Sequence, residues 1–298
     1  DPDGLYFTCP EGIYISWNGQ MGKRLTSSAR GSRVELLATS DTVYTVVNMT
    51  GTWELDFFDS YLAANVRAWR DAVVTRGGSV SNTQLIIMDQ WYYREVLNNT
   101  YSYTDDYLIC CGETEVQSLT TFKQLLPALA VNSPSFTYRK GFTTDGIQSY
   151  IDWPYTPSLN NVALSSTSGR LGIIELTDVI GSEVTIGTSE SSSKRIVIKT
   201  LVSGKVEVNF NASGSTQFNL DQNSQTSVGF TAVSTLANSL TLYKNGNLVA
   251  TTNVTVGTNK SNQHIFIGSK ATVPNFPTDF REVFVMAAVV GARSEERR

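Results

Sequence analysis

The sequence predicts a mainly β protein: an antiparallel jelly-roll sandwich preceded by a small β-unit and a helical pair. Three observations carry this. Short alternating runs punctuated by turn dipeptides fill residues 135–290. The composition is rich in hydroxyl and amide side chains, with 34 Thr, 32 Ser and 20 Asn. Thr suits a half-buried pleated surface and Ser and Asn suit turns. Finally, Leu240–Tyr243 and Leu248–Ala250 flank Asn245–Gly246, the dipeptide of a tight hairpin. No βαβ alternation is present, which excludes a doubly wound parallel sheet.

Residues 1–59 read as the small β-unit. Leu5–Thr8, Gly12–Trp17, Val34–Leu37 and Val43–Val47 are short β-rich runs, with Asn18–Gly19 as a turn. So short a unit has little core of its own and is expected to lean on a neighbour or on another copy of the chain.

Residues 60–134 change period. Leu62, Val66, Trp69 and Val73 recur at helical spacing, as do Leu85, Met88, Trp91 or Tyr92, and Val96. Gly77–Gly78 ends the first helix and Ser81 caps the second. Tyr107–Cys111 reads as a buried strand, and Leu119–Leu126 as a short helix stopped by Pro127. The remainder, 135–298, is read as the jelly roll, with ten strands that include Ser149–Asp152, Arg170–Leu176, Thr226–Val233 and Glu282–Ala288.

Charge and rare residues narrow the chemistry. The 298 residues carry a net charge of −4, and 17% are charged, against ~25% in an average soluble protein. There is no basic field for a nucleic-acid backbone and no apolar run long enough to span a membrane. Beginning at Asp1, the chain reads as a fragment or processed product. Cys9, Cys110 and Cys111 have no metal-binding spacing, so no zinc or other cofactor is expected. His264, the single histidine, would have to carry any histidine-dependent catalysis alone, and it reads instead as a strand residue.

The order of several segments resembles a known family. Arg139–Lys140–Gly141–Phe142 through Tyr150–Ile151–Asp152, the Leu242–Leu248 hairpin, Phe266–Ile267–Gly268 and Phe280–Val285 resemble the concanavalin A-like (laminin-G-like) jelly roll of bacteriophage tail and fibre proteins. Gly77–Gly78–Ser79–Val80–Ser81 and Val131–Thr137 are similar to the segments that precede it there. The resemblance implies a virion structural or attachment protein, assembled in the host bacterial cytoplasm. It also implies a homo-oligomer, with a trimer favoured, whose partners are other virion proteins and a host glycan.

Candidate site residues follow. Asp152, Trp153 and Tyr155 stand where Pro154 marks an irregular segment, and they offer rings for stacking on a sugar and a carboxylate for its hydroxyls. Asp145–Gly146 could supply one calcium ligand, with a plain turn as the ordinary reading. The alternative function is glycoside hydrolysis by Glu54 and Asp56, two apart on a strand and so on one face, with Asp59 nearby. Capping or surface charge is the ordinary reading there.

Overall fold

The computed structural model describes residues 62–291, apart from 161–162, 166, 177–182, 192, 202–204, 212–215, 220–228, 237 and 258. It describes residues 200–201, 205 and 216–219, and six strands before residue 62, by their backbone. The early strands are β1 (Leu5–Thr8), β2 (Ile13–Trp17), β3 (Gln20–Ser27), β4 (Arg33–Ser40), β5 (Val43–Thr50) and β6 (Trp53–Phe57). They form two antiparallel sheets, in the orders β1-β4-β5 and β2-β3-β6. The four expected runs are strands. β3 went unforeseen, because Gln20, Lys23 and Arg24 leave its sequence without a clear alternation. Asn18–Gly19 and Cys9 lie outside the described residues; Trp17 and Gln20 pair on either side of that dipeptide.

The helical pair forms as expected. In α1 (Ala64–Thr75), Val66, Trp69 and Val73 are buried. Gly77 takes φ +80° just past its end, where a side chain would be strained. The Ser81 hydroxyl accepts the Gln84 N–H at 3.1 Å and starts α2 (Asn82–Leu97). α1 has no cap of its own. The Asp89 carboxylate of α2 accepts the Ala63 N–H at 2.8 Å instead, locking one helix onto the other. After α3 (Thr100–Tyr103) come β7 (Thr104–Ile109) and α4 (Glu115–Ser118).

The expected helix over 119–126 is absent. Its N–H groups are claimed elsewhere: Phe122 donates to the Tyr107 carbonyl at 2.8 Å, and Lys123 and Gln124 donate to the Asp106 carboxylate at 3.1 Å. Leu125 has φ +58°. A buried acceptor on β7 thus outcompetes the i→i−4 pattern.

The remaining strands are β8 (Leu129–Val131), β9 (Ser135–Thr137), β10 (Gly141–Thr143), β11 (Tyr150–Trp153), β12 (Ser168–Glu175), β13 (Val184–Ser191), β14 (Lys194–Leu201) and β15 (Lys205–Phe210). They continue with β16 (Thr216–Asn219), β17 (Gly229–Leu236), β18 (Ser239–Lys244), β19 (Asn247–Asn253), β20 (Ile265–Ile267), β21 (Lys270–Thr272), β22 (Phe276–Thr278) and β23 (Phe284–Gly291). Among the described residues they form two sheets. One runs β19-β18-β17-β12-β23-β10-β9, with β7 also on β23; the other runs β16-β15-β14-β13-β20-β11-β8, with the β21–β22 hairpin on β13. The pairings are antiparallel except the single β13–β21 contact. This is the antiparallel sandwich that the sequence predicted.

The division at residue 134 is corrected by the pairing. β7 joins the first sheet through β23, and β8 joins the second through β11. The segment 62–134 is therefore part of the sandwich as well as its helical cover. The core lies between the sheets and includes Leu108, Phe142, Ile186, Val208, Leu242 and Val285, each almost wholly buried. Each such side chain contributes about 1.5–3 kcal/mol by leaving water. The Asn245–Gly246 hairpin is as expected, with φ +51° and +81°. At Gly141, φ is +126° and a Cβ would stand 1.9 Å from the Val285 carbonyl, so only glycine lets β10 meet β23.

Candidate functional site

The residues nominated as sugar contacts separate in the structure. Trp153 and Tyr155 have no exposed surface. The Trp153 indole donates to Asp106 Oδ2 at 3.3 Å, and the Tyr155 hydroxyl donates to Asp105 Oδ2 at 2.8 Å. Neither ring face can stack on a sugar, so this expectation is corrected: β11 alternates, and Trp153 falls on its inward side. Pro154 turns the chain while leaving both aromatics in the core.

The partners of these aromatics are two adjacent buried carboxylates on β7. Asp105 accepts the Leu164 N–H at 2.8 Å and also the Ala163 N–H. Asp106 Oδ1 accepts the N–H groups of Tyr107, Lys123 and Gln124. Each carboxylate thus fastens a loop to the sandwich. Burial pushes the Asp106 carboxyl up to about 6, against the opposing pull of these hydrogen bonds. Sequence reading passed over the pair, because Asp-Asp at a strand start resembles ordinary surface charge.

Asp152 faces the other way. Its Oδ1 lies 2.8 Å from His264 Nδ1, and both side chains are partly exposed. In the register Asp152 faces Phe266 of β20, so His264, two residues earlier, is its diagonal neighbour on the outer face. His264 sits just before β20 rather than inside a strand. Its backbone N–H donates to Asn275 Oδ1 at 2.8 Å, and the Asn275 N–H donates to Gln263 Oε1. The tip of the β21–β22 hairpin is thereby held against His264. Ala271 of this hairpin clusters with Tyr150 and Phe266, whose ring centroids are 4.6 Å apart.

The resulting patch combines polar and apolar surface. Among the described residues none hydrogen-bonds to Asp152 Oδ2, His264 Nε2 or Asn275 Nδ2. That leaves an acceptor, an imidazole nitrogen and an amide donor open to solvent. Phe276, next in sequence to Asn275, is 63% exposed, and Val273 is exposed too. An exposed ring next to fixed donors and acceptors can lie against the apolar face of a sugar while those groups take its hydroxyls. The hairpin was not legible as part of a site: Val273–Pro274–Asn275–Phe276 reads only as a turn.

The other candidates resolve as follows. Asp145 Oδ1 accepts the N–H groups of Ile147, Gln148 and Ser149 at 2.8–2.9 Å. Burial opposes its ionisation, yet these bonds prevail and hold the carboxyl well below its usual range. It organises a turn. Glu54 and Asp56 stand on β6 opposite Thr26 and Arg24, and their side chains lie outside the described residues. Cys110 and Cys111 are free, and burial pushes both thiols up. Among the described residues no cluster of His, Cys, Asp and Glu could hold a metal, and no helix is long and apolar enough to cross a membrane.

No protein-family model matches the chain, and no curated protein matches it. Solved structures do. The binding domain of botulinum neurotoxin serotype D is similar at 11% identity, covering 65% of this chain and 50% of that one, with a TM-score of 0.46. Trypanosoma rangeli sialidase in complex with sialic acid is similar at 11% identity, covering 95% and 42%, with a TM-score of 0.47. Mouse laminin α1 chain domains LG4-5 are similar at 15% identity, covering 49% and 42%, with a TM-score of 0.33. The chain thus spans half or less of these chains. The fold class rests on the strand pairing above.

Proposed function

We propose that this chain is a recognition module: the attachment or structural component of a bacteriophage virion, whose jelly roll presents a saccharide-binding surface as a homo-oligomer. The observation that carries the reading is the patch at Asp152, His264, Asn275 and Phe276. It sets unengaged polar atoms of Asp152 and His264 against a hairpin tip that carries an exposed ring. The segment order that resembles phage fibre proteins supplies the virion context. Shallow single sites of this kind are weak, and several copies acting together give useful avidity.

The test is a glycan array probed with the intact chain, followed by Phe276→Ala and Asp152→Ala. Binding by the wild type that both variants lose, at unchanged melting temperature, is the expected outcome. An array blank for the wild type removes the saccharide from the reading. Release of reducing ends from a polysaccharide, abolished by Glu54→Gln, would transfer the protein to the glycoside hydrolases.

A further inference from the structure

A concavity lies on the opposite sheet. A cleft of about 680 Å³ opens between α2 and the outer face of the sheet that contains β23. Ile87, Met88 and Trp91 of α2 form its wall, and its floor includes Ile174 of β12, Phe230 of β17 and Met286 of β23. The outer face of an antiparallel sheet is ordinarily polar where it meets water. The helical pair explains apolar residues only at the Tyr107 end, where Trp91 meets Tyr107 edge-on at 4.8 Å. Ile174, Phe230 and Met286 lie beyond it and are only half-buried. The volume falls within the range of small-molecule sites, and two methionines give the lining adaptable surface.

The polar groups of the lining are few and unequal. Glu95 Oε2 accepts from the hydroxyls of Tyr107 and Thr100, each at 2.7 Å, so one of its two oxygens is turned towards the protein's own donors. Against it stand two guanidiniums, Arg139 and Arg170. Arg170 donates to the Thr104 hydroxyl at 3.2 Å. Arg139 is the more exposed, pairs with Glu113 outside the lining, and retains further N–H donors.

We infer that the cleft binds one amphipathic small molecule, its apolar chain lying along Ile174, Phe230 and Met286 and its anionic head at Arg139. A floor of sheet and a wall of helix enclose a single elongated molecule, which a bilayer surface could not enter. This site is independent of the saccharide patch, which lies on the other sheet.

Cys111 also lines the cleft and is half-buried, so its thiol reports occupancy. The experiment titrates the full chain with dodecanoate below its micellar concentration, by calorimetry, and follows alkylation of Cys111 by peptide mass. One-to-one saturable binding and slowed alkylation are expected. Met286→Trp fills the floor and should weaken binding at least about tenfold, and Arg139→Gln roughly threefold to tenfold. Both should leave the melting temperature unchanged; Ile174→Phe replaces Met286→Trp if that variant does not fold. Absence of both heat and protection overturns the inference, as does equal binding of dodecyltrimethylammonium. Self-association that protects Cys111 without dodecanoate also overturns it and gives the cleft to a second copy.

Discussion

The two sheets of the sandwich share one core but treat their outer faces differently. The sheet built on β23 turns apolar residues outward and covers part of them with α1 and α2, through a cluster that includes Trp69, Tyr107 and Phe122. The sheet built on β20 covers its outer aromatics with the β21–β22 hairpin and keeps His264, Asp152 and Asn275 at the water boundary. A cover brought by helices from elsewhere in the chain needs long-range fastening. Arg76 donates to the Leu119 carbonyl and the Thr120 hydroxyl, both at 2.6 Å, and the Trp69 indole donates to the Thr120 carbonyl at 3.1 Å. The hairpin cover is held by the pairing of Thr188 with Ala271 and by Asn275 at His264. The first arrangement is a matter of stability, and the second leaves polar atoms available for recognition.

This contrast can be broken most severely from the core between the faces. Trp153→Ala should cost about 3–5 kcal/mol in denaturant unfolding and leave saccharide binding by the folded fraction intact. Lost binding at full stability would return Trp153 to the surface. Next comes Trp69→Ala, which should cost about 3 kcal/mol by stripping the helical cover, without altering the saccharide patch. A loss below about 1 kcal/mol would mean that the helices are not held by this ring.

The third test is acid. The folded-state carboxyl of Asp106 titrates near 6, above the ~3.9 of an unfolded chain. The folded protein therefore binds the proton more tightly between these values. Ionisation of Asp106 lowers stability above pH 6, and that penalty is removed as the pH falls towards 4. The wild type should gain on the order of 2 kcal/mol over Asp106→Asn between pH 7 and pH 4.5. Parallel pH profiles of the two proteins would contradict it. The smallest effect belongs to the open face: Phe276→Ala should change stability by less than about 0.5 kcal/mol, and a larger loss in thermal melting would make Phe276 part of the cover.

The strands were legible because alternation and turn dipeptides are local signals. The Asn245–Gly246 hairpin and the helical stripes at Val66, Trp69 and Val73 needed nothing beyond their neighbours. What failed depended on distant partners. The 119–126 helix lost N–H groups to Asp106 and to the Tyr107 carbonyl, and Trp153 and Tyr155 were drawn inward by a pair of acids roughly 50 residues upstream. The same holds for Arg281 and Glu175, buried charges 3.7 Å apart that no spacing announces. At the candidate site, Asp152 was legible alone. Its imidazole partner lies across a sheet register, and Phe276 reaches the patch only through a hairpin tip.

The pairing of β7 with β23 has a consequence for the order of assembly. Tyr107 lies opposite Val289, and roughly 180 residues separate them. A ribosome adding about 5–20 residues per second needs some 10–40 s between the two strands. Until the second is made, the helical pair has no finished floor to sit on, and the aromatic cluster around Trp91 waits with its rings in water. The nascent chain therefore holds this apolar surface in suspense until nearly all of the sandwich exists. Chaperone capture of arrested chains ending before residue 284, and its loss once 291 has emerged, is the expected signature.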